Sequence, residues 1–176
     1  MATGSTIYKI QLNIADMDRN YYETHDITVA QHPSETNQRL MIRLAAFALN
    51  ASDRLIITKG IGGDDEPELW EKNYSDEVVL WIDLGQMDEK RLRKVCGKAE
   101  QVIVYTYNYK AAIAWWKQYG TTFDRFKNLS VIHFHAEGIE KLCEQRSMRL
   151  QCNISDGELS FHSDLGDVTI TQEQWQ

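Results

Sequence analysis

Apolar and polar positions alternate along residues 5–14, where Ile7, Ile10, Leu12 and Ile14 are interleaved with residues such as Lys9, and this period of two predicts a strand. Tyr21 to Ala30 reads as a second strand, and the polar Asp16–Asn20 segment between them predicts an antiparallel hairpin. The period then changes. His32-Pro33-Ser34-Glu35 opens a predicted helix, with Leu40, Met41, Leu44, Phe47 and Ala48 at helical spacing up to about Ala51. Three strands are predicted next: Arg54 to Thr58, a short segment around Leu69-Trp70, and the strongly apolar 78–84. A basic helix over Met87 to Ala99 has Asp88 as its cap. Strand 101–107, helix 111–118 and strand 128–134 follow, then a short helix over 136–145. A closing hairpin runs from Met148 to Ile154, turns at Asp156-Gly157 and returns over Leu159 to His162. The order predicts a mixed α/β (α+β) fold, a central mixed sheet flanked by helices with a β-hairpin at each end.

Composition narrows the function classes. The 176 residues suit one domain, and a hydrophobic fraction of 43% is enough for a real core. A net charge of −7 argues against a protein that coats nucleic acid by bulk attraction, while leaving room for an enzyme with a local basic groove. Cys96, Cys143 and Cys152 lack metal spacing and are odd in number, which fits reduced thiols in the cytosol. No stretch is apolar enough for a signal peptide or a membrane span, so the expectation is a soluble, cytoplasmic protein.

The chemistry concentrates between Gly63 and Gln86. Asp64, Asp65 and Glu66 cluster beside Pro67, one of two prolines, and the strand that follows carries Asp83 near its far end. An Asp in a buried-strand pattern is costly unless hydrogen-bonded, paired or bound to a metal. Two acidic sites brought side by side in a sheet would hold a hard divalent cation and support phosphodiester chemistry. The plainer reading of the acidic cluster itself is a solvated loop.

The run of helix, three strands, helix and strand from His32 to Tyr107 resembles the PD-(D/E)xK nuclease-like core. Over nearly its full length the chain resembles the bacterial YaeQ family, a variant of that core. The resemblance is carried by Ala15-Asp16-Met17-Asp18-Arg19, His32-Pro33-Ser34-Glu35, Leu44-Ala45-Ala46-Phe47-Ala48-Leu49-Asn50 and Thr58-Lys59-Gly60. It continues through Asp64-Asp65-Glu66-Pro67, Asp88-Glu89-Lys90-Arg91, Val104-Tyr105-Thr106-Tyr107 and Trp175-Gln176. It implies a single nuclease-like domain over 1–176 with its core at about 32–107, and Mg²⁺ or Mn²⁺ as cofactor. Mapped onto this chain, the first acid is Glu68, with Asp65 as its rival, and the second is Asp83. The superfamily's lysine, two residues after the second acid, is replaced by Gly85. Gln86, Lys90 or Lys59 would stand in for it, and Glu35 on the first helix would be a supporting acid.

Other features have two readings each. Lys90, Lys94 and Lys98 recur at i, i+4 spacing, as a phosphate-contacting ridge or a solvated helix face. Lys59-Gly60-Ile61-Gly62-Gly63 lacks Walker spacing and is not a nucleotide P-loop. His133 and His135 share a strand face with no third ligand in spacing, and Trp70 and Trp81 are core residues or base-stacking surfaces. Cys96 has no His-Asp partner, and serine-hydrolase and zincin motifs are absent. Two functions remain: a Mg²⁺-dependent nuclease of DNA or RNA, or an inactive nuclease-like domain that binds a protein or nucleic-acid partner.

Overall fold

A computed structural model describes residues 4–59 and 65–176. Its order is β1 (Thr6–Asp16), β2 (Tyr21–Gln31), α1 (Asn37–Asn50), β3 (Ile56–Ile57), β4 (Leu69–Lys72), β5 (Val78–Leu84) and α2 (Glu89–Cys96). Then come β6 (Gln101–Thr106), α3 (Tyr109–Phe123), β7 (Leu129–His135), a 3₁₀ turn at Ile139–Leu142, β8 (Ser147–Ser155), β9 (Glu158–Ser163) and β10 (Gly166–Gln174). The described fold is thus mixed α+β. Two compact units emerge, one holding residues 4–51, 59 and 136–171, the other 52–58, 65–135 and 172–176. The expected core at about 32–107 crosses this division: α1 belongs to the first unit and β3 to β6 to the second.

The first unit is a sheet in the order β2-β1-β8-β9-β10, parallel only between β1 and β8. Alternation along β1 buries Ile10, Leu12 and Ile14 on one side, as the sequence pattern predicts, with Tyr8 in the place of Ile7, which is exposed. The β8–β9 turn is Asp156-Gly157, with φ of 53° and 76°, the pair of left-handed residues that a two-residue hairpin loop demands. Asp16 and Arg19 tie this unit together. The Asp16 carboxylate accepts the backbone N–H groups of Asp18 and Arg19, while the Arg19 guanidinium donates to the Ala48 and Ala51 carbonyls that end α1. Asp18 accepts from the N–H groups of Asp156 and Gly157 at the other turn. These acids are structural.

Helix α1 starts later than predicted. His32 and Glu35 close a turn, and the Thr36 hydroxyl accepts from Arg39 N as the cap, so Pro33 and Glu35 precede the helix. Nine consecutive residues, Leu40 to Ala48, are buried, more than the single face that the spacing predicts. The predicted helix over 136–145 shrinks to the 3₁₀ turn, opened by Gly138 at φ 78°. Strand β10 was not predicted, because Asp167, Thr169, Thr171, Gln172 and Glu173 dilute its apolar signal.

In the second unit β5, β6 and β7 run parallel, with β4 and then β3 antiparallel on the β5 side. The predicted strand 54–58 pairs only at Ile56 and Ile57. Helices α2 and α3 cover one face, where Trp81, Leu92, Val95, Val102, Val104, Trp115, Phe123 and Val131 form the core. Trp115 Nε1 donates to the Met87 carbonyl at 2.8 Å, so its polar edge is satisfied inside this core. Asp88 caps α2 as expected, accepting from Arg91 N. Among the described residues no helix is long and apolar enough to cross a membrane.

Candidate functional site

The two rival acids lie in different surroundings. Leu69 pairs with Ile82 at the end of the antiparallel β4–β5 ladder, and the Glu68 N–H, just before β4, donates to the Ile82 carbonyl, which sets Glu68 beside Asp83. Both are buried, at 7% and 5% exposure. The Glu68 backbone N–H also reaches Asp83 Oδ1 at 3.3 Å.

Asp83 is held by more than its strand. Trp81 Nε1 donates to Oδ2 at 2.9 Å, and Arg91 gives Oδ2 two further hydrogen bonds, from Nε at 3.1 Å and Nη2 at 3.0 Å. Arg91 Nη2 also donates to the Glu66 carbonyl, closing the acidic turn onto α2. Burial nevertheless pushes the Asp83 carboxyl above the usual carboxylate range. The Trp81 hydrogen bond and the Arg91 charge oppose that shift, and the Glu68 charge adds to it.

The other sequence-derived residues fall in different places. Asp65 is exposed and tied to Lys94 at 2.7 Å, a bond and a charge that pull its pKa down. Gly85 leaves β5 at φ 88°, a left-handed conformation, with its N–H donating to the Tyr105 carbonyl. Gln86 and Lys90 lie exposed beyond it, and neither side chain bonds to Glu68 or Asp83. Lys59 is exposed as well, while Asp64 and Gly60 to Gly63 lie outside the described residues. Glu35 belongs to the first unit, where Arg43 and Arg39 bind its carboxylate at 3.1 and 3.0 Å.

Arg91 is the residue that the sequence reading did not place in the site. The signal was present: Asp88 as cap sets the phase of α2, and Arg91 and Lys94 then follow at i, i+3 on the side toward Asp83 and Asp65. Of the i, i+4 ridge, Lys94 and Lys98 make contacts on this side and Lys90 is exposed. Lys94 holds Asp65, and Lys98 lies 5.5 Å from the centre of the Trp81 ring. Trp81 is 1% exposed and belongs to the core, whereas Trp70 packs edge-on against it and is half-buried.

At the carboxyl ends of β6 and β7 the two strand histidines do meet, with ring centres 4.8 Å apart. Thr106 Oγ1 bonds His133 Nδ1 at 2.8 Å, Trp175 stacks on His133, and Glu173 pairs with His135 at 2.9 Å. Burial and the neighbouring His135 keep His133 below its ordinary pKa, against the Glu173 charge. Glu173, on the unpredicted strand, was the missing partner. Among the described residues, no group of three His, Cys, Asp or Glu side chains is placed to hold a metal ion. The cysteines are poor nucleophiles: burial lifts Cys96 to about 11 and, with Asp16 adding its charge, Cys152 to about 12.

The model of the YaeQ protein family matches residues 1–172. The chain belongs to the YaeQ family. The YaeQ protein of Escherichia coli (strain K12) is 41% identical over 178 aligned positions, spanning 100% of this chain and 98% of that protein. The YaeQ protein of Salmonella typhi is 40% identical over the same shares. The crystal structure of YaeQ from Xanthomonas axonopodis pv. citri superposes with a TM-score of 0.93 at 45% identity, covering 98% of each chain. The crystal structure of YaeQ from Pseudomonas syringae gives a TM-score of 0.90 at 31% identity, over 98% of this chain and 96% of that one. The relatives' names carry no activity to transfer, so function rests on the site.

Proposed function

We propose that this chain is a divalent-metal-dependent phosphodiesterase of nucleic acid, a variant of the PD-(D/E)xK nuclease-like design, with Glu68 and Asp83 as its metal-binding pair. The reading is carried by two buried carboxylates, Glu68 and Asp83, set side by side where β4 begins along β5. Like charges buried together are unfavourable unless a cation offsets them, and Arg91 offsets the Asp83 charge in part. Mg²⁺ suits the donor set, since it binds through one or two carboxylates and takes its remaining oxygens from water and phosphate. Mn²⁺ would serve similarly. Asp83 Oδ1 accepts only the long bond from Glu68 N, which leaves it lone-pair capacity, whereas Oδ2 is committed to Trp81 and Arg91. Asp65, exposed and paired with Lys94, is the reserve acid, and Glu35 is held elsewhere.

A bound ion would supply Lewis acidity toward a phosphoryl oxygen and a more acidic water. The chain's own residues supply position and charge. Arg91 fixes the Asp83 rotamer and brings the permanent positive charge that Gly85 cannot. An arginine cannot accept a proton at neutral pH, so Arg91 stabilises charge and does not act as a base. Gln86, released from the strand by the left-handed Gly85, would hydrogen-bond the attacking water without neutralising it. Lys90 is the alternative donor.

One observation favours the binding-domain reading: three donors already satisfy Asp83 Oδ2, which weakens its pull on a cation. Cleavage of single- and double-stranded DNA and RNA with Mg²⁺ or Mn²⁺ separates the two. The enzyme predicts cutting that is lost in Asp83→Asn and in EDTA. Wild type that cuts no substrate overturns it.

A further inference from the structure

We infer that the free edge of β2 docks a basic, extended peptide segment of another protein, which adds a strand to the first unit's sheet along residues 22–28. The hydrogen-bond phase of the sheet carries the inference. Lys9 N donates to the Arg146 carbonyl, and Met17 N, just past β1, to the Ile154 carbonyl, so the odd-numbered residues of β1 turn their backbone groups toward β8. The even-numbered ones therefore turn toward β2, where Ile10 lies opposite Ile27, Leu12 opposite His25 and Ile14 opposite Glu23. It follows that Tyr22, Thr24, Asp26 and Thr28 point their N–H and C=O groups away from β1. The Ala30 carbonyl, next in that series, is reached by Arg43 Nη1 from outside the ladder. β2 is the outermost strand of its sheet, and among the described residues nothing bonds to the backbone of Tyr22, Thr24, Asp26 or Thr28. An edge of about 20 Å is left open.

Edge strands are ordinarily blunted by shortness, bulges, proline or lysine. β2 has none of these. It runs 11 residues in unbroken register, from Tyr21 opposite Asp16 to Gln31 opposite Thr6, about twice the usual strand length. It holds no Lys or Arg, and its acids are Glu23 and Asp26. Both are exposed, neither forms an ion pair among the described residues, and Asp26 takes only a long bond from the Gln11 amide at 3.4 Å. These acids choose the occupant. A second copy pairing about a two-fold axis would lay one acidic strand on another, with no cation from either β2 to meet the carboxylates. A basic segment meets them instead. Strand alternation sets Asp26 on the outer face with Thr24 and Thr28, and Glu23 on the opposite one, so a lysine or arginine on each face of the incoming strand is paired. Main-chain bonds supply the affinity, and the two acids the selectivity.

The test combines amide hydrogen exchange with fluorescence anisotropy on the full chain. Its probe is a dye-labelled short peptide of Thr, Val and Lys with lysines on both strand faces, beside a counterpart with Glu for Lys. In the free chain the amides of Thr24, Asp26 and Thr28 should exchange fast, while those of His25 and Ile27, bonded to β1, stay protected. The Lys peptide should bind and protect the first three, and the Glu peptide should not. The same Lys peptide N-methylated at the residues that face β2 should lose binding, a control that leaves the protein untouched. Asp26→Asn, at an exposed position, should weaken binding roughly fivefold. Edge amides already protected in a free monomer, equal binding of the Glu or N-methylated peptide, no effect of Asp26→Asn, or no binding overturns the inference. A dimer by sedimentation, with those three amides protected, overturns it in favour of a second copy.

Discussion

Glu35 and Asp83 are both buried acids gripped by arginine, and they differ in what surrounds the grip. Glu35 sits between two arginines, Arg39 and Arg43, with its side chain and that of Arg43 almost sealed, at 1% and 2% exposure. Asp83 has one arginine, itself 20% exposed, and a second carboxylate, Glu68, beside it. An acid among surplus cations is a fastener. Burial above all, with the neighbouring Glu68 adding to it, holds the Asp83 carboxyl above the usual range despite the opposing Trp81 and Arg91. Glu35 is fixed between two arginines, and Asp83 is the acid to which the proposed function gives chemistry.

Arg43→Ala should break the comparison most violently. It leaves Glu35 buried with only the peripheral Arg39, and urea unfolding should show a loss of about 3–5 kcal/mol. Asp83→Asn should change stability by less than about 1 kcal/mol, because the amide oxygen still accepts from Trp81 and the repulsion with Glu68 is relieved. Equal losses at both positions would erase the distinction.

Arg91→Ala sharpens it from the other side. Removing the competing cation should tighten Mn²⁺ binding roughly tenfold by calorimetry, about 1.4 kcal/mol, while lowering cleavage. Weaker metal binding would instead make Arg91 part of the cation site's scaffold.

Acid titration reports on the second unit separately. His133 is depressed below its ordinary value of 6.5, so the unfolded chain takes up the proton more readily. Its contribution to stability is complete above that value and is lost as pH falls through it. Asp83, shifted upward, contributes in the opposite sense: its ionised form is the costly one, so it adds stability as pH falls through its folded value. Unfolding curves between about pH 8 and pH 5 should therefore steepen downward toward acid, and His133→Asn should flatten them. The smallest effect belongs to Asp65→Asn. That pair is exposed, so the melting temperature should not move, and metal binding should persist.

Much of this was legible in the chain. The β1 alternation, the Asp156-Gly157 turn, the Asp88 cap and the apolar strand bearing Asp83 are local signals, and each produced its element. What stayed hidden depends on partners far along the sequence. That Glu68 lies buried beside Asp83 while Asp65 is exposed depends on how the 65–68 segment meets β5, which no local pattern encodes. The grip of Arg91 needs the phase of α2 and the path of the 65–68 turn together. Glu173 reaches His135 only because a strand with few apolar residues pairs at all, its alternation too dilute to read. Pro33 misled because a turn closed by His32 and Glu35 separates it from the true cap at Thr36.

The central claim is that the Glu68–Asp83 pair is a cation site, and calorimetric titration of the full chain with Mn²⁺ tests it most directly. The account predicts one saturable site, abolished by Asp83→Asn and by Glu68→Gln and intact in Asp65→Asn. No saturable heat in folded wild type, or the same affinity in all four proteins, would contradict it.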